Sequence, residues 1–176
     1  MIIKNRMVLF LVATLSSISC SNSPYTKTVD HVDLKRFSKK WYVIAGRFTF
    51  LEKGAHNAVE EYTFNQKEQK IDINFYFNKD SFDGTLKKIP QKAWIENQET
   101  NAYWKVSPFW PLKFDYLVIA LAEDYSWTAI GVPSQKYLWI MADKWDVSEE
   151  QLEIIIKKVN NINYSVQDIV RIPQKW

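Results

Sequence analysis

The sequence predicts an all-β domain, a sandwich or barrel of antiparallel strands, with one α-helix near the C-terminus. Three observations carry that prediction. Residues 71–78 read Ile-Asp-Ile-Asn-Phe-Tyr-Phe-Asn, with every odd position apolar, which is the period of two of a strand buried on one face. Short aromatic and β-branched segments recur along the chain with turn residues such as Asp83-Gly84 and Pro133-Ser134 between them, a spacing that favours antiparallel neighbours. Near the end, Leu152, Ile155, Ile156 and Val159 fall at i, i+3, i+4 and i+7, the stripe of a helix that packs on something.

The N-terminus has the parts of a secretory signal in order. Lys4 and Arg6 supply positive charge, and residues 7–15 are an uncharged, mostly apolar stretch. Spanning a bilayer as a helix takes roughly 20 apolar residues, and this run ends sooner, in Ser16-Ser17-Ile18-Ser19-Cys20. Small residues followed directly by a cysteine resemble a lipoprotein box, in which the thiol is acylated and Cys20 becomes the first residue of the mature chain. Ile18 and Ser19 fit that box, whereas Ser17 stands where Leu is usual. The expected organisation is a signal peptide over 1–19, a lipidated tether over 20–30 and a barrel domain over 31–176. No cysteine follows Cys20, so no intramolecular disulfide can staple the domain and its core must hold it.

Past the tether, Asp33 is placed to cap a short helical turn through Phe37. Trp41-Tyr42-Val43-Ile44-Ala45 then begins the strands. Further candidates are 58–65, 71–78, 85–89, 93–97, 102–107, 116–122, 127–132 and 137–142. Ser148-x-x-Gln151 has the form of a capping box, and Glu149 and Glu150 suit the positive end of the helix that follows. A last strand is expected over 169–172.

Composition narrows the function. A mature chain of about 155 residues suits one domain with a sizeable core. It holds eight Trp, nine Tyr and ten Phe but only four Gly, which implies a very aromatic core or an aromatic-lined cavity. A net charge of +3 with scattered lysines reads as solvated faces and gives no case for nucleic acid. His31 and His56 are the only histidines, too few and too far apart for a His-dependent triad or a zinc site. No paired acidic motif stands out, and the reading is a protein that is no enzyme and needs no cofactor and no metal.

Four segments, in order, carry a family resemblance. Val32-Asp33-Leu34-Lys35-Arg36-Phe37 followed by Trp41-Tyr42-Val43-Ile44-Ala45 resembles the opening motif of the lipocalins. Asp115-Tyr116-Leu117-Val118-Ile119-Ala120-Leu121 looks like their second motif, and Arg171 is the candidate for the third. Tyr137-Leu138-Trp139-Ile140-Met141 is similar to a segment of the bacterial lipocalins, which are themselves outer-membrane lipoproteins. The resemblance spans 32–175. It departs at Lys39, where the opening motif has Gly.

The resemblance implies an eight-stranded antiparallel up-and-down β-barrel with the C-terminal α-helix packed outside. It also implies a lipid-anchored envelope protein, a monomer or homodimer at the outer membrane and facing the periplasm, that stores or transports a fatty-acid-like or lysophospholipid-like molecule. Trp41, Asp115, Tyr116 and Arg171 are then structural, with the Arg171 guanidinium expected across Trp41 as a cation–π pair. Matching residues 58–64 to the family's second strand turns Ala58, Glu60, Tyr62 and Phe64 inward. Alternation does the same for Ile71, Ile73, Phe75 and Phe77, and for Trp104 and Val106. The candidate ligand contacts are Glu60, Tyr62, Phe75, Phe77, Trp104 and Val106, with ordinary core as the competing reading for the lower half. Glu60 and Glu61 cannot both face solvent in a regular strand. An inward Glu60 would have a raised pKa if unpaired, or be satisfied by a lysine, Arg47 or a tyrosine hydroxyl, and a β-bulge would remove the argument. The competing function is an envelope scaffold with a filled barrel, to which Phe109, Trp110 and Trp145 would contribute if exposed together. Phe109 and Trp110, between Pro108 and Pro111, equally suit a rim touched by ligand or membrane lipid.

Overall fold

The Asp33 carboxylate accepts the backbone N–H groups of Lys35 and Arg36 at 2.9 and 3.2 Å, which caps a single helical turn, α1 (Leu34–Phe37). That turn drives the fully buried Phe37 into the domain and delivers the chain to β1 (Lys40–Arg47). The structure is a computed structural model that describes residues 23–176. The signal segment and Cys20 lie outside the described residues.

Seven further strands follow: β2 (Ala55–Asn65), β3 (Lys70–Lys79), β4 (Leu86–Ile95), β5 (Tyr103–Ser107), β6 (Phe114–Leu121), β7 (Trp127–Gly131) and β8 (Leu138–Ala142). Each is antiparallel to its neighbour, and β1 pairs with both β8 and β2, which closes the barrel. α2 (Glu149–Asn161) lies outside, and β9 (Val170–Arg171) adds a short strand to β1 at Ala45 and Gly46.

The expected segments 85–89 and 93–97 are one strand, β4, which runs through Pro90. Pro90 faces Asn74 of β3, but pairing with β5 starts only at Lys92. The proline therefore stands where β4 has a free edge, and its missing N–H breaks no second ladder. Joining the two segments brings the strand count to that of the barrel.

Two cores result. Inward positions of the strands, with Phe37 from below, form the first: Trp41, Tyr62, Ile71, Ile73, Phe75, Trp104 and Tyr116 belong to it. The second lies between the outer wall and α2, where Leu152, Ile155 and Val159 meet Ile44, Ile119 and Ile140. A bulge between Val43 and Ala45 switches β1 from one core to the other, so Trp41 and Val43 face in while Ile44 and Ala45 join the outer core. The helix starts at the expected box, Gln151 N–H on Ser148 Oγ at 3.2 Å and Ser148 N–H on Gln151 Oε1 at 3.0 Å. Its far end is locked by Tyr164, which sits so close to β7 that a Cβ at Gly131 would lie 2.6 Å from the ring.

The ends of the barrel follow from topology. α1 and the turns after β2, β4 and β6 close one end, and the connections β1–β2, β3–β4, β5–β6 and β7–β8 surround the other, the mouth. Residues 25–32, part of which was expected in the tether, lie along the outer wall from mouth to closed end. Tyr25 N–H donates to Pro133 O at 2.8 Å, Val29 N–H to Val118 O at 2.9 Å and Val32 N–H to Thr100 O at 2.7 Å.

Candidate functional site

The inner face is where alternation puts it. Glu60, Tyr62, Phe75, Phe77, Trp104 and Val106 are all buried and, Glu60 apart, all belong to the interior core. Glu60 is 7% exposed, whereas the next residue, Glu61, points out to Lys40 at 3.7 Å.

The six residues occupy different levels. Below, the barrel is filled by its own rings. Phe37 lies 5.1 Å from Trp41, 5.2 Å from Tyr62 and 5.3 Å from Trp104, and Trp104 stacks on Tyr116 at 5.3 Å with planes 3° apart. Tyr62 and Trp104 are thus parts of a floor. Phe75 and Phe77, ring centroids 5.1 Å apart, line the wall toward the mouth, and Val106 lies opposite Ala93 and Phe114. Glu60 stands between the two levels.

A hydrogen-bonded chain crosses the barrel at this height. The Tyr62 hydroxyl donates to the Glu60 carboxylate. That uses its one proton, so Tyr116, whose hydroxyl is 2.5 Å away, is the donor to Tyr62. The tyrosine hydroxyl foreseen as a satisfying partner is the one present. Burial pushes Glu60 up to about 7, against the pull of the Tyr62 hydrogen bond and with a further push from the Glu52 carboxylate. Burial also holds the Tyr62 and Tyr116 hydroxyls well above their ordinary range. Near neutral pH this carboxyl can therefore accept a hydrogen bond as an anion or donate one as an acid, inside an apolar wall.

Sequence reasoning missed two members of this level. Glu52 ends a 3-10 turn (Phe50–Glu52) in the β1–β2 connection, where Thr49 N–H and the Thr49 hydroxyl donate to its Oε2. The Trp139 indole N–H donates to Glu52 Oε1 at 3.0 Å, and the Trp139 ring stacks over Tyr116 at 6.5 Å. Thr49-x-x-Glu52 has the form of a capping box, and alternation along Tyr137-Leu138-Trp139 turns Trp139 inward. Those were the available signals.

The expected Arg171–Trp41 pair does not form. Arg171 lies opposite Ala45, on the outer side of β1, where it meets Glu149 at 2.9 Å and donates to Val147 O. Trp41 is an interior residue, beyond its reach. The cation over Trp41 is Lys39, the residue that departs from the family motif: its Nζ is 4.3 Å from the ring, 3.8 Å from Asp143, and donates to Tyr125 O at 2.6 Å. Burial lowers the Lys39 pKa, with Asp143 opposing. Asp115, of the second motif, instead accepts from Tyr103 and Lys105, both at 2.5 Å.

Grooves open to solvent among the described residues include these two. One of about 490 Å³ lies beside the N-terminus of α2, between Trp127, Asp143, Val147 and Ile155. The other, about 610 Å³, lies between the β1–β2 connection and β9, near Phe48, Glu52 and Arg171. Neither is lined by Glu60, Phe75, Phe77 or Val106. His31 hydrogen-bonds to Glu99 at the closed end, and His56 packs on Phe82 at the mouth.

The domain is thus a closed antiparallel barrel with an external helix and an aromatic interior crossed by one polar level. Residues 32–174 match the Lipocalin-like domain family, and the chain belongs to that family. It is 24% identical to the outer membrane lipoprotein Blc of Vibrio cholerae, over 97% of this chain and 99% of that protein. It is 27% identical to the Escherichia coli K12 protein of the same name, over 83% and 81%, and 24% identical to temperature-induced lipocalin-1 of Arabidopsis thaliana, over 84% and 82%. Among solved structures the fold is similar to insecticyanin from the tobacco hornworm Manduca sexta, with a TM-score of 0.65 at 15% identity over 85% and 84% of the two chains. Lobster apocrustacyanin A1 gives a TM-score of 0.62 at 15% identity over 88% and 91%.

Proposed function

We propose that this chain is a lipid-anchored envelope protein that holds one single-chain amphiphile, of the fatty-acid or lysophospholipid class, in the mouth half of its barrel for storage or transport. The observation that carries this reading is the buried Glu60–Tyr62–Tyr116 chain, set between a floor filled by rings and a wall formed by Phe75, Phe77 and Val106. In this reading the polar head reaches Glu60 and the acyl chain runs toward the mouth, gaining about 0.8 kcal/mol for each methylene removed from water. Glu60, Tyr62, Phe75, Phe77, Trp104 and Val106 are its proposed contacts, the two floor residues through their upper edges. Outer membrane lipoproteins among the relatives support an envelope location, and Cys20 is the residue proposed to carry the lipid.

Titration of a lysophospholipid or palmitate against tryptophan fluorescence tests the reading. A saturable change at micromolar ligand is expected. Glu60→Gln should shift the affinity for a charged head at least several-fold while Glu61→Gln leaves it nearly unchanged. Absence of a saturable change, together with equal small effects of the two substitutions, would favour the scaffold reading that the ring-filled floor also suits. For the anchor, Cys20→Ser should release the protein in soluble form. Retention at the membrane would contradict acylation at this residue.

A further inference from the structure

The two ends of the barrel differ in charge and in apolar exposure. The closed-end connections, 66–69, 96–102, 122–126 and 143–148, hold seven acidic residues and two lysines. Trp145 is their one exposed large apolar residue. The mouth connections, 48–54, 80–85, 108–113 and 132–137, hold three acids and three lysines, one of the acids being the buried Glu52, and Lys79, Lys87 and Lys88 flank them. At that end Phe50, Leu86, Phe109, Trp110, Leu112 and Phe114 are each at least half exposed, Trp110 at 78%. Large apolar side chains exposed together at one end are a mark of an interaction or membrane-contact site. Aromatic rings interleaved with lysine are the composition that settles at a bilayer interface.

The N-terminal strap says on which side a membrane would lie. Tyr25 is buried, its ring 4.9 Å from Tyr164 and its N–H on Pro133 O of the β7–β8 connection, which is a mouth connection. Cys20 precedes it by five positions, a stretch that reaches about 18 Å at most. A ten-residue strand such as β3, tilted as barrel strands are, climbs about 25 Å. A lipid on Cys20 is therefore held on the mouth side and cannot reach past the closed end.

We infer that the mouth of the barrel seats on the bilayer that holds the anchor, with Phe109, Trp110, Leu112 and Phe114 in the interface and the neighbouring lysines on anionic head groups. For its orientation this rests on the proposed acylation of Cys20; the docking itself rests on the rim. An acyl chain then passes between bilayer and barrel without crossing open water, and the acidic closed end points away.

Cys20 is the only thiol, so an acylated W110C chain, or a C20S/W110C chain, takes a single polarity-sensitive dye at position 110. Gln66→Cys at the closed end serves as control. On vesicles of phosphatidylethanolamine with phosphatidylglycerol as the minor component, a blue shift and a several-fold gain in emission are expected at 110 and not at 66, with or without the anchor. A chain held on the vesicles by its lipid with the dye at 110 still aqueous overturns the docking and leaves the anchor standing. If mass spectrometry finds Cys20 unmodified, the anchor reading falls. The C20S/W110C chain then decides the rim alone, a shift upholding it and an aqueous dye overturning it. A shift that appears with rising protein concentration and no vesicles means that a second copy covers the rim, and also overturns the inference.

Discussion

The closed end and the mouth are built by the same eight strands, yet one is packed with rings and the other leaves large apolar side chains exposed. At the closed end the capped turn of α1 adds Phe37 to the inward rings, Lys39 covers Trp41, and the Arg36 guanidinium lies 4.0 Å over Tyr125. At the mouth, connections of similar length leave Phe109, Trp110 and Leu112 in solvent. Alternation alone does not produce this difference. An element laid under the strands fills one end, and the other receives none. Ring packing is concentrated below the Glu60 level, and exposed large apolar side chains lie above it.

Substitutions that separate the two ends should show it. The largest effect is expected at Trp41, where truncation to Ala should cost about 3–5 kcal/mol in urea unfolding. Trp110→Ala should change stability by less than about 0.5 kcal/mol. Similar losses at both positions would break the contrast. Next is the level between them. The Glu60 carboxyl has a folded pKa of about 7, against its ordinary 4.5. Between those values the native chain keeps a proton that the unfolded chain has released, so stability falls as pH rises through that window. The total is on the order of 3 kcal/mol. Unfolding measured at about pH 5 and about pH 8 should show this fall in the natural protein and a flatter profile in Glu60→Gln; parallel profiles would show that Glu60 is not the group responsible. Smaller effects separate the two cations. Lys39→Met should lose about 1–2 kcal/mol of ring and hydrogen-bond contact, and Arg171→Gln less than about 0.5 kcal/mol as an exposed pair. The reverse order would restore Arg171 as the partner of Trp41.

The sequence was informative wherever one residue's neighbours decide its direction. Period two in residues 71–78 placed Phe75 and Phe77 inside, and the adjacency of Glu60 and Glu61 required one carboxylate to turn in. The capping box at Ser148 marked the start of the helix. What stayed hidden depended on contacts distant in the chain. Pro90 looked like a strand break because the sequence does not show that β5 leaves that stretch of β4 unpaired. Arg171 was matched to Trp41 by motif order, but a strand paired with the outer side of β1 carries it away, and Lys39 takes its place. Tyr25 read as tether because its partners, Pro133 and Tyr164, are more than a hundred residues off. Glu52 sits in a connection, where no alternation exists to give it a direction.

The central claim is that one amphiphile lies above the Glu60–Tyr62–Tyr116 level. Its most direct test is a crystal structure with a fatty acid brominated near its carboxyl end, located by anomalous scattering from the bromine. One bromine position inside the barrel, among Phe75, Phe77 and Val106 and on the mouth side of Glu60, is the predicted result. Bromine found only in the groove between Trp127 and Val147, or side chains filling the mouth half with no ligand among them, would contradict it.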